Sequence, residues 1–241
     1  MKENEKYLGI NQPIPFTILD EILYNYFNNK VLSNEEVKRL IKEYLIGDNR
    51  IDKALSHINV LLTKNQEILH KIKKIIGNEG YLKLTNNDRL CIATCFVALT
   101  FPVTYDFMNV LGVGFKVQQK INRNYIDQKL TSTYGSNRGI YNAVDALIKM
   151  LIDFRLITRK KNGVFEIAPV KNISNPLINE LYVYTDIKLS GTKAILLDEL
   201  VYKPWYMFFS ANIMEQSKLN FLNIIEMRGN EKYLSVKKLE V

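Results

Sequence analysis

The chain is poor in the residues that most often do chemistry: two cysteines, two histidines and one tryptophan in 241 residues. Two cysteines exclude a disulfide framework, and no charged, apolar and small-residue leader pattern opens the sequence, so a reducing cytoplasmic setting is expected. Cys91 and Cys95 stand four apart, at helical spacing. A metal site needs about four ligands, and no second pair of Cys or His accompanies them, so both read as small buried hydrophobes. His57 and His70 read as packing or surface residues, which leaves the commonest general base nearly absent. Ser190-Gly191-Thr192-Lys193 has the wrong order for a phosphate loop and lacks its leading glycine, and reads instead as a turn and helix cap before Ala194. Gly112-Val113-Gly114 lacks the third glycine and the preceding strand of a dinucleotide site. Asp198 and Glu199 are adjacent and point to different helix faces, so they form no acid/base pair. No cofactor, metal or catalytic residue is expected, and the chain reads as non-enzymatic.

Long apolar runs are also missing. The uncharged stretch Leu90 to Tyr105 has 16 residues, short of the roughly 20 that span a bilayer, and it contains Pro102. A buried core helix, without membrane association, is the expectation. Low-complexity segments and internal repeats are absent as well. The composition that remains, 47% hydrophobic and 24% charged, is that of a globular protein.

Charge is where the sequence becomes informative. The net charge of +8 is unevenly spread: residues 1–115 carry 14 basic and 13 acidic groups, and residues 172–241 carry 8 of each. Residues 116–171 carry 11 basic and 4 acidic groups, so nearly the whole excess sits in that segment. A local basic field of this kind points to a polyanionic partner.

Periodicity divides the chain in the same places. Residues 1–16, punctuated by Pro13 and Pro15, read as a flexible arm. Residues 17–115 read as a helical bundle. Its first helix carries Ile18, Ile22, Leu23, Tyr26 and Phe27, and its second is opened by the capping box Ser33/Glu36, carries Val37, Leu40, Ile41, Tyr44 and Leu45, and is stopped by Gly47. A long third helix runs from about Arg50 to Ile76 with a break expected at Lys64-Asn65, and Gly77 and Gly80 close it. Asn86, Asn87 or Asp88 caps the apolar helix, a shorter helix covers Tyr105 to Leu111, and Gly112 and Gly114 form a joint. In residues 172–241, Tyr182, Tyr184, Tyr202, Trp205, Tyr206, Phe208, Phe209 and Phe221 form an aromatic-rich region with a final hairpin, Leu222–Met227 with Tyr233–Val236 across Arg228-Gly229-Asn230. That cluster is either core or a docking surface for other subunits.

The basic segment, residues 116–171, has a definite grammar. A short helix at Tyr125–Leu130 precedes the turn Tyr134-Gly135-Ser136-Asn137. An amphipathic helix follows over Arg138–Phe154 with Ile140, Val144, Leu147, Ile148 and Leu151 on one side. Leu156–Arg159 and Val164–Ala168 then form a hairpin across Lys161-Asn162-Gly163. Helix, turn, helix and two-stranded wing resemble the winged helix-turn-helix superfamily over residues 123–168, in which the second helix enters the major groove of DNA. The resemblance implies double-stranded DNA as partner. Arg138 then reads guanine and Asn142 adenine, flanked by Asn137 and Tyr141, while Arg123, Lys129, Arg159, Lys160 and Lys161 contact phosphates. Helix-turn-helix proteins often pair on two half-sites, so a homodimer is one arrangement the reading admits, although no coiled-coil heptad is present.

Across about residues 17–160, the helical first half, Asp88-Arg89-Leu90, Tyr105-Asp106-Phe107-Met108, the basic helix and the winged end at Leu147–Ile157 resemble the BrxA-like small DNA-binding proteins of bacterial BREX phage-defence systems. That resemblance implies a DNA-binding subunit of an antiviral defence locus. The fold class expected is therefore mainly α: an N-terminal helical bundle, a winged helix-turn-helix module and a small α+β C-terminal region. Two rival functions remain: a scaffold subunit whose winged helix docks protein, and an RNA-binding protein.

Overall fold

The computed structural model describes residues 8–210, 219–226 and 231–238, and the chain is mostly helical, with short strands in its second half. Five helices come first: α1 (Phe16–Phe27), α2 (Asn34–Lys42), α3 (Asp48–Lys64), α4 (Gln66–Ile76) and the single turn α5 (Gly80–Lys83). The capping box expected at α2 is formed, with Ser33 Oγ accepting from Glu36 N and Glu36 Oε2 accepting from Ser33 N at 2.8 Å. α2 ends at Lys42, ahead of Gly47, which instead opens α3 with φ +99°. The expected break falls at Asn65, whose buried amide donates to Leu61 O and Thr100 Oγ1 and so ties the α3/α4 corner to the next helix.

The arm is only partly an arm. Residues 1–7 lie outside the described residues, but residues 8–15 are packed, with Ile10 and Ile14 fully buried. Two apolar side chains four apart outweigh the punctuation that Pro13 and Pro15 supply.

α6 (Asn86–Thr100) and α7 (Val103–Val117) follow. α6 is buried on almost every side, as the uncharged run predicts, and Cys91 and Cys95 are both free thiols within it. Burial, with help from the neighbouring Cys95, pushes the Cys91 thiol well up, so it stays protonated. The α6 cap is Thr85, one residue before the three expected candidates. Thr85 Oγ1 accepts from Asp88 N at 3.2 Å, and Asp88 answers as the third residue of a capping box. No described helix is long and apolar enough to cross a membrane, and α6 and α7 meet at a bend of 116°.

α7 corrects the expected joint. It runs unbroken through Gly112 and Gly114, well beyond Leu111, because both glycines are there for close approach. A Cβ at 112 would collide with the Pro204 carbonyl, and one at 114 would lie 2.6 Å from Ile121 Cδ1.

The basic segment comes next: β1 (Lys120–Asn122), α8 (Arg123–Tyr134), α9 (Arg138–Asp153), β2 (Ile157–Lys161) and β3 (Val164–Ile167). The three strands form an antiparallel sheet in the order β1-β3-β2, with Arg159 opposite Phe165 and Ile121 opposite Phe165 on the other edge. The hairpin turns at Asn162-Gly163, where Gly163 has φ +69°, as an Asn-Gly pair in a tight hairpin favours.

The last part holds β4 (Lys171–Asn172), α10 (Pro176–Ser190), β5 (Ala194–Leu196), two 3₁₀ turns (Leu197–Tyr202 and Pro204–Met207), β6 (Phe209–Ser210), β7 (Leu222–Glu226) and β8 (Lys232–Val236). β4 pairs with β6 in parallel, and β5, β8 and β7 form a second antiparallel sheet in that order. The final hairpin is thus formed, while its expected turn at Arg228-Gly229-Asn230 lies outside the described residues. Gly191, in the left-handed conformation at φ +71°, ends α10, and Ala194 begins a strand where a helix was expected.

The aromatic region is core. Trp205, Tyr182, Tyr184, Phe209 and Phe221 are fully buried, and Tyr206 and Phe208 nearly so, while Tyr202 is exposed. Tyr182 stacks on Trp205 at 4.9 Å between centroids, and this packing removes the cluster as a docking surface. One apolar core runs from Ile10 to Leu234 without a break at the boundaries the charge pattern suggested.

Candidate nucleic-acid interface

The site is built on α9. Its inner face, Ile140, Val144, Leu147, Ile148 and Leu151, is buried as the 3.6-residue period requires. Arg138, Asn142 and Lys149, spaced by about one and two turns, are exposed on the opposite stripe, with Asp145 between them and Tyr141 at the edge. Lys149 was not singled out by sequence reasoning, though its spacing of seven from Asn142 places it there. None of Arg138, Lys149, Arg159 or Lys161 has a carboxylate within 4.0 Å among the described residues, so these cations are uncommitted.

Two expected site residues have other work. Asn137 caps α9, its Oδ1 accepting from Ile140 N at 3.1 Å. Arg123 is a hub: Nε bonds Asp127 at 2.7 Å, Nη1 bonds Asp145 at 2.5 Å, and its backbone N–H donates to Gly163 O at 2.7 Å. Burial alone would lower the Arg123 pKa, but the two carboxylates outweigh it and hold the guanidinium firmly charged. Arg123 thereby joins α8, α9 and the hairpin tip as a brace. The sequence signal was available, since Arg123 and Asp127 stand four apart at an ion-pair spacing.

The remaining expected residues are spread around this centre. Arg159, Lys160 and Lys161 lie exposed on β2, an edge strand of the sheet. Lys160 pairs with Glu166 at 2.9 Å, and this bond, reinforced by Lys120, keeps the Glu166 carboxyl below its usual range. Arg159 lies over the Phe165 ring at 5.8 Å, which leaves its charge outward. Tyr141 Oη is 3.1 Å from Ser136 Oγ in the turn before α9. Lys129 is exposed on α8 and lines a groove of about 490 Å³ with Asp106, Asn109, Val110, Val113, Tyr125 and Thr133, so it belongs to the α7/α8 side.

The four carboxylates of the basic segment are all engaged. Asp127 and Asp145 hold Arg123, Glu166 sits between Lys120 and Lys160, and Asp153 Oδ2 accepts from Phe16 N at 2.6 Å. That last bond belongs to a strap. Leu8 lies against the start of α9, where a Cβ on Gly139 would be 3.2 Å from it, and Phe16 packs edge-on against Phe154 at its end, so residues 8–16 run the length of the helix. Midway, Asn11 N lies 3.3 Å from His57 Nε2. Burial, with the Lys53 charge adding to it, depresses the His57 pKa to about 4, so the ring is neutral, and its Nε2 lies between Asn11 N and Asn11 Oδ1, the latter at 3.2 Å, with the tautomer setting which of the two it bonds.

No group of three or more His, Cys, Asp or Glu side chains that could hold a metal ion occurs among the described residues. The chain matches no protein-family model, no curated protein and no solved structure.

Proposed function

We propose that the chain is a non-enzymatic DNA-binding protein that lays α9 in the major groove of duplex DNA and rests the β2–β3 hairpin on the adjacent backbone. The observation that carries this reading is a coincidence of arrangement and charge. The order α7, β1, α8, α9, β2, β3, with strands in the order β1-β3-β2, supports reading this segment as a winged helix-turn-helix. The same stretch holds the basic excess of the chain. Arg138 and Asn142 supply the fork and amide that match guanine and adenine edges, and Lys149, Arg159, Lys160 and Lys161 supply phosphate contacts. On this reading, the BrxA-like resemblance of the sequence supports a role as a subunit of a bacterial phage-defence system.

Duplex binding measured by fluorescence anisotropy across a salt series tests the reading. Wild type is expected to lose affinity steeply as salt rises, and the Arg159→Glu, Lys161→Glu double variant is expected to bind weakly with a shallower slope. Absence of duplex binding at low salt would overturn it, and preference for structured RNA in competition would replace DNA by RNA.

A further inference from the structure

Asp145 is out of place on a surface for a polyanion. Of the carboxylates in the basic segment, Asp127 and Glu166 are partly covered, at 22% and 25% side-chain exposure, and Asp153 is exposed at the end of α9 on the Phe16 N–H, whereas Asp145 is 57% exposed in the middle of the α9 stripe. Facing phosphates, it would repel them at every approach. It is also held: Arg123 binds Oδ1 at 2.5 Å, while Oδ2 has no donor among the described residues. A carboxylate with one oxygen anchored and the other presented outward is an oriented hydrogen-bond acceptor.

Of the four bases, only cytosine and adenine offer an amino donor in the major groove, from N4 and N6. Adenine sets its N7 acceptor beside that donor, and guanine and thymine present acceptors at O6, N7 and O4, all of which repel a carboxylate. We infer that Asp145 is a specificity-determining residue that selects cytosine by accepting from its N4 amino group, with Arg123 as the positioning residue that aims it. The inference rests on the docking of α9 proposed above. Seven residues separate Asp145 from Arg138, about 10 Å along the helix axis. The cytosine therefore lies a few base pairs from the guanine that Arg138 reads, along the path of the helix in the groove.

Selection from a randomised duplex library, followed by anisotropy on duplexes carrying each of the four base pairs at the selected position, tests this. Wild type is expected to prefer C·G there by about tenfold to a hundredfold. Asp145→Asn should shift that position toward A·T, since an amide matches adenine N6 and N7, and should bind unrelated sequence more tightly. Arg138→Ala should relax a different position, and Arg123→Lys should relax the Asp145 position while leaving the Arg138 position intact. A wild-type footprint with no cytosine preference, which needs no variant to fold, overturns the inference while leaving the docking in place. An Asp145→Asn variant with the wild-type motif overturns it equally. Failure of wild type to bind any duplex overturns the docking itself, and the inference with it.

Discussion

α9 and α10 are helices of nearly equal length, 16 and 15 residues, that the fold uses in opposite ways. α9 buries one face and leaves a stripe of polar side chains to solvent. α10 is enclosed on nearly all sides, and its polar residues Glu180 and Asp186 are buried with their partners. Glu180 Oε1 accepts from Phe221 N and Leu222 N, while Asp186 accepts from Tyr105 Oη at 2.6 Å, from Tyr206 Oη at 3.1 Å and from Lys203. The α10 carboxylates close buried networks inside the fold; the α9 carboxylate Asp145 is bonded to Arg123 through one oxygen and is otherwise largely exposed to solvent. The same residue type thus closes a buried network in one helix and stands at the solvent boundary of the other.

The comparison breaks most easily at Asp186. Asp186→Ala strands the Lys203 ammonium and two tyrosine hydroxyls in the core, and is expected to cost about 3–5 kcal/mol in urea denaturation. Asp145→Ala, the same change on α9, should stay within about 1 kcal/mol of wild type, since exposed ion pairs contribute little. A similar loss at both positions would erase the distinction.

The strap along α9 gives a second separation, this time by pH. The folded His57 pKa of about 4 lies below the value of 6.5 for a free imidazole, so between these values the unfolded chain binds more protons. Stability is then full above pH 6.5 and is lost as pH falls toward 4, by up to about 3 kcal/mol. His57→Gln should flatten the dependence of unfolding on pH in that window; an unchanged slope would remove His57 as its cause.

Smaller effects sharpen the comparison. Gly112→Ala drives a methyl group into the Pro204 backbone, between α7 and the 3₁₀ turns beside α10, and should lower stability by about 1–3 kcal/mol. Arg138→Ala, on the exposed stripe, should leave the melting temperature nearly unchanged, within about 0.5 kcal/mol. Its effect belongs in the binding assay, where it should remove selectivity at one base pair.

The same pair of helices shows what a sequence makes legible. α9 was readable because its apolar residues recur with a helical period against polar ones, and its hairpin because Asn162-Gly163 marks a tight turn. α10 carries apolar residues all round, so no stripe betrays it; only Asn175-Pro176, a cap followed by proline at the first helical position, signals its start. The glycines of α7 misled for a related reason: a glycine that admits Pro204 and one that ends a helix are the same letter, and only the partner across the gap tells them apart. At the interface, composition located the cations, and the i,i+4 spacing to Asp127 marked Arg123 as tethered, but its second tether, Asp145, lies 22 residues away in sequence and shows only in the fold.

The bond from Arg123 N–H to Gly163 O has a mechanical consequence. A hairpin tip that carries several lysines and hangs free must be immobilised each time it meets a backbone, and the entropy lost there subtracts from affinity. Here the tip is moored to the first residue of α8, and that same residue grips α9 through Asp145. Helix and hairpin therefore behave as the two jaws of one caliper with a fixed opening. On the proposed docking, the spacing between base contacts and flanking phosphate contacts is a dimension of the protein itself, set before any duplex arrives.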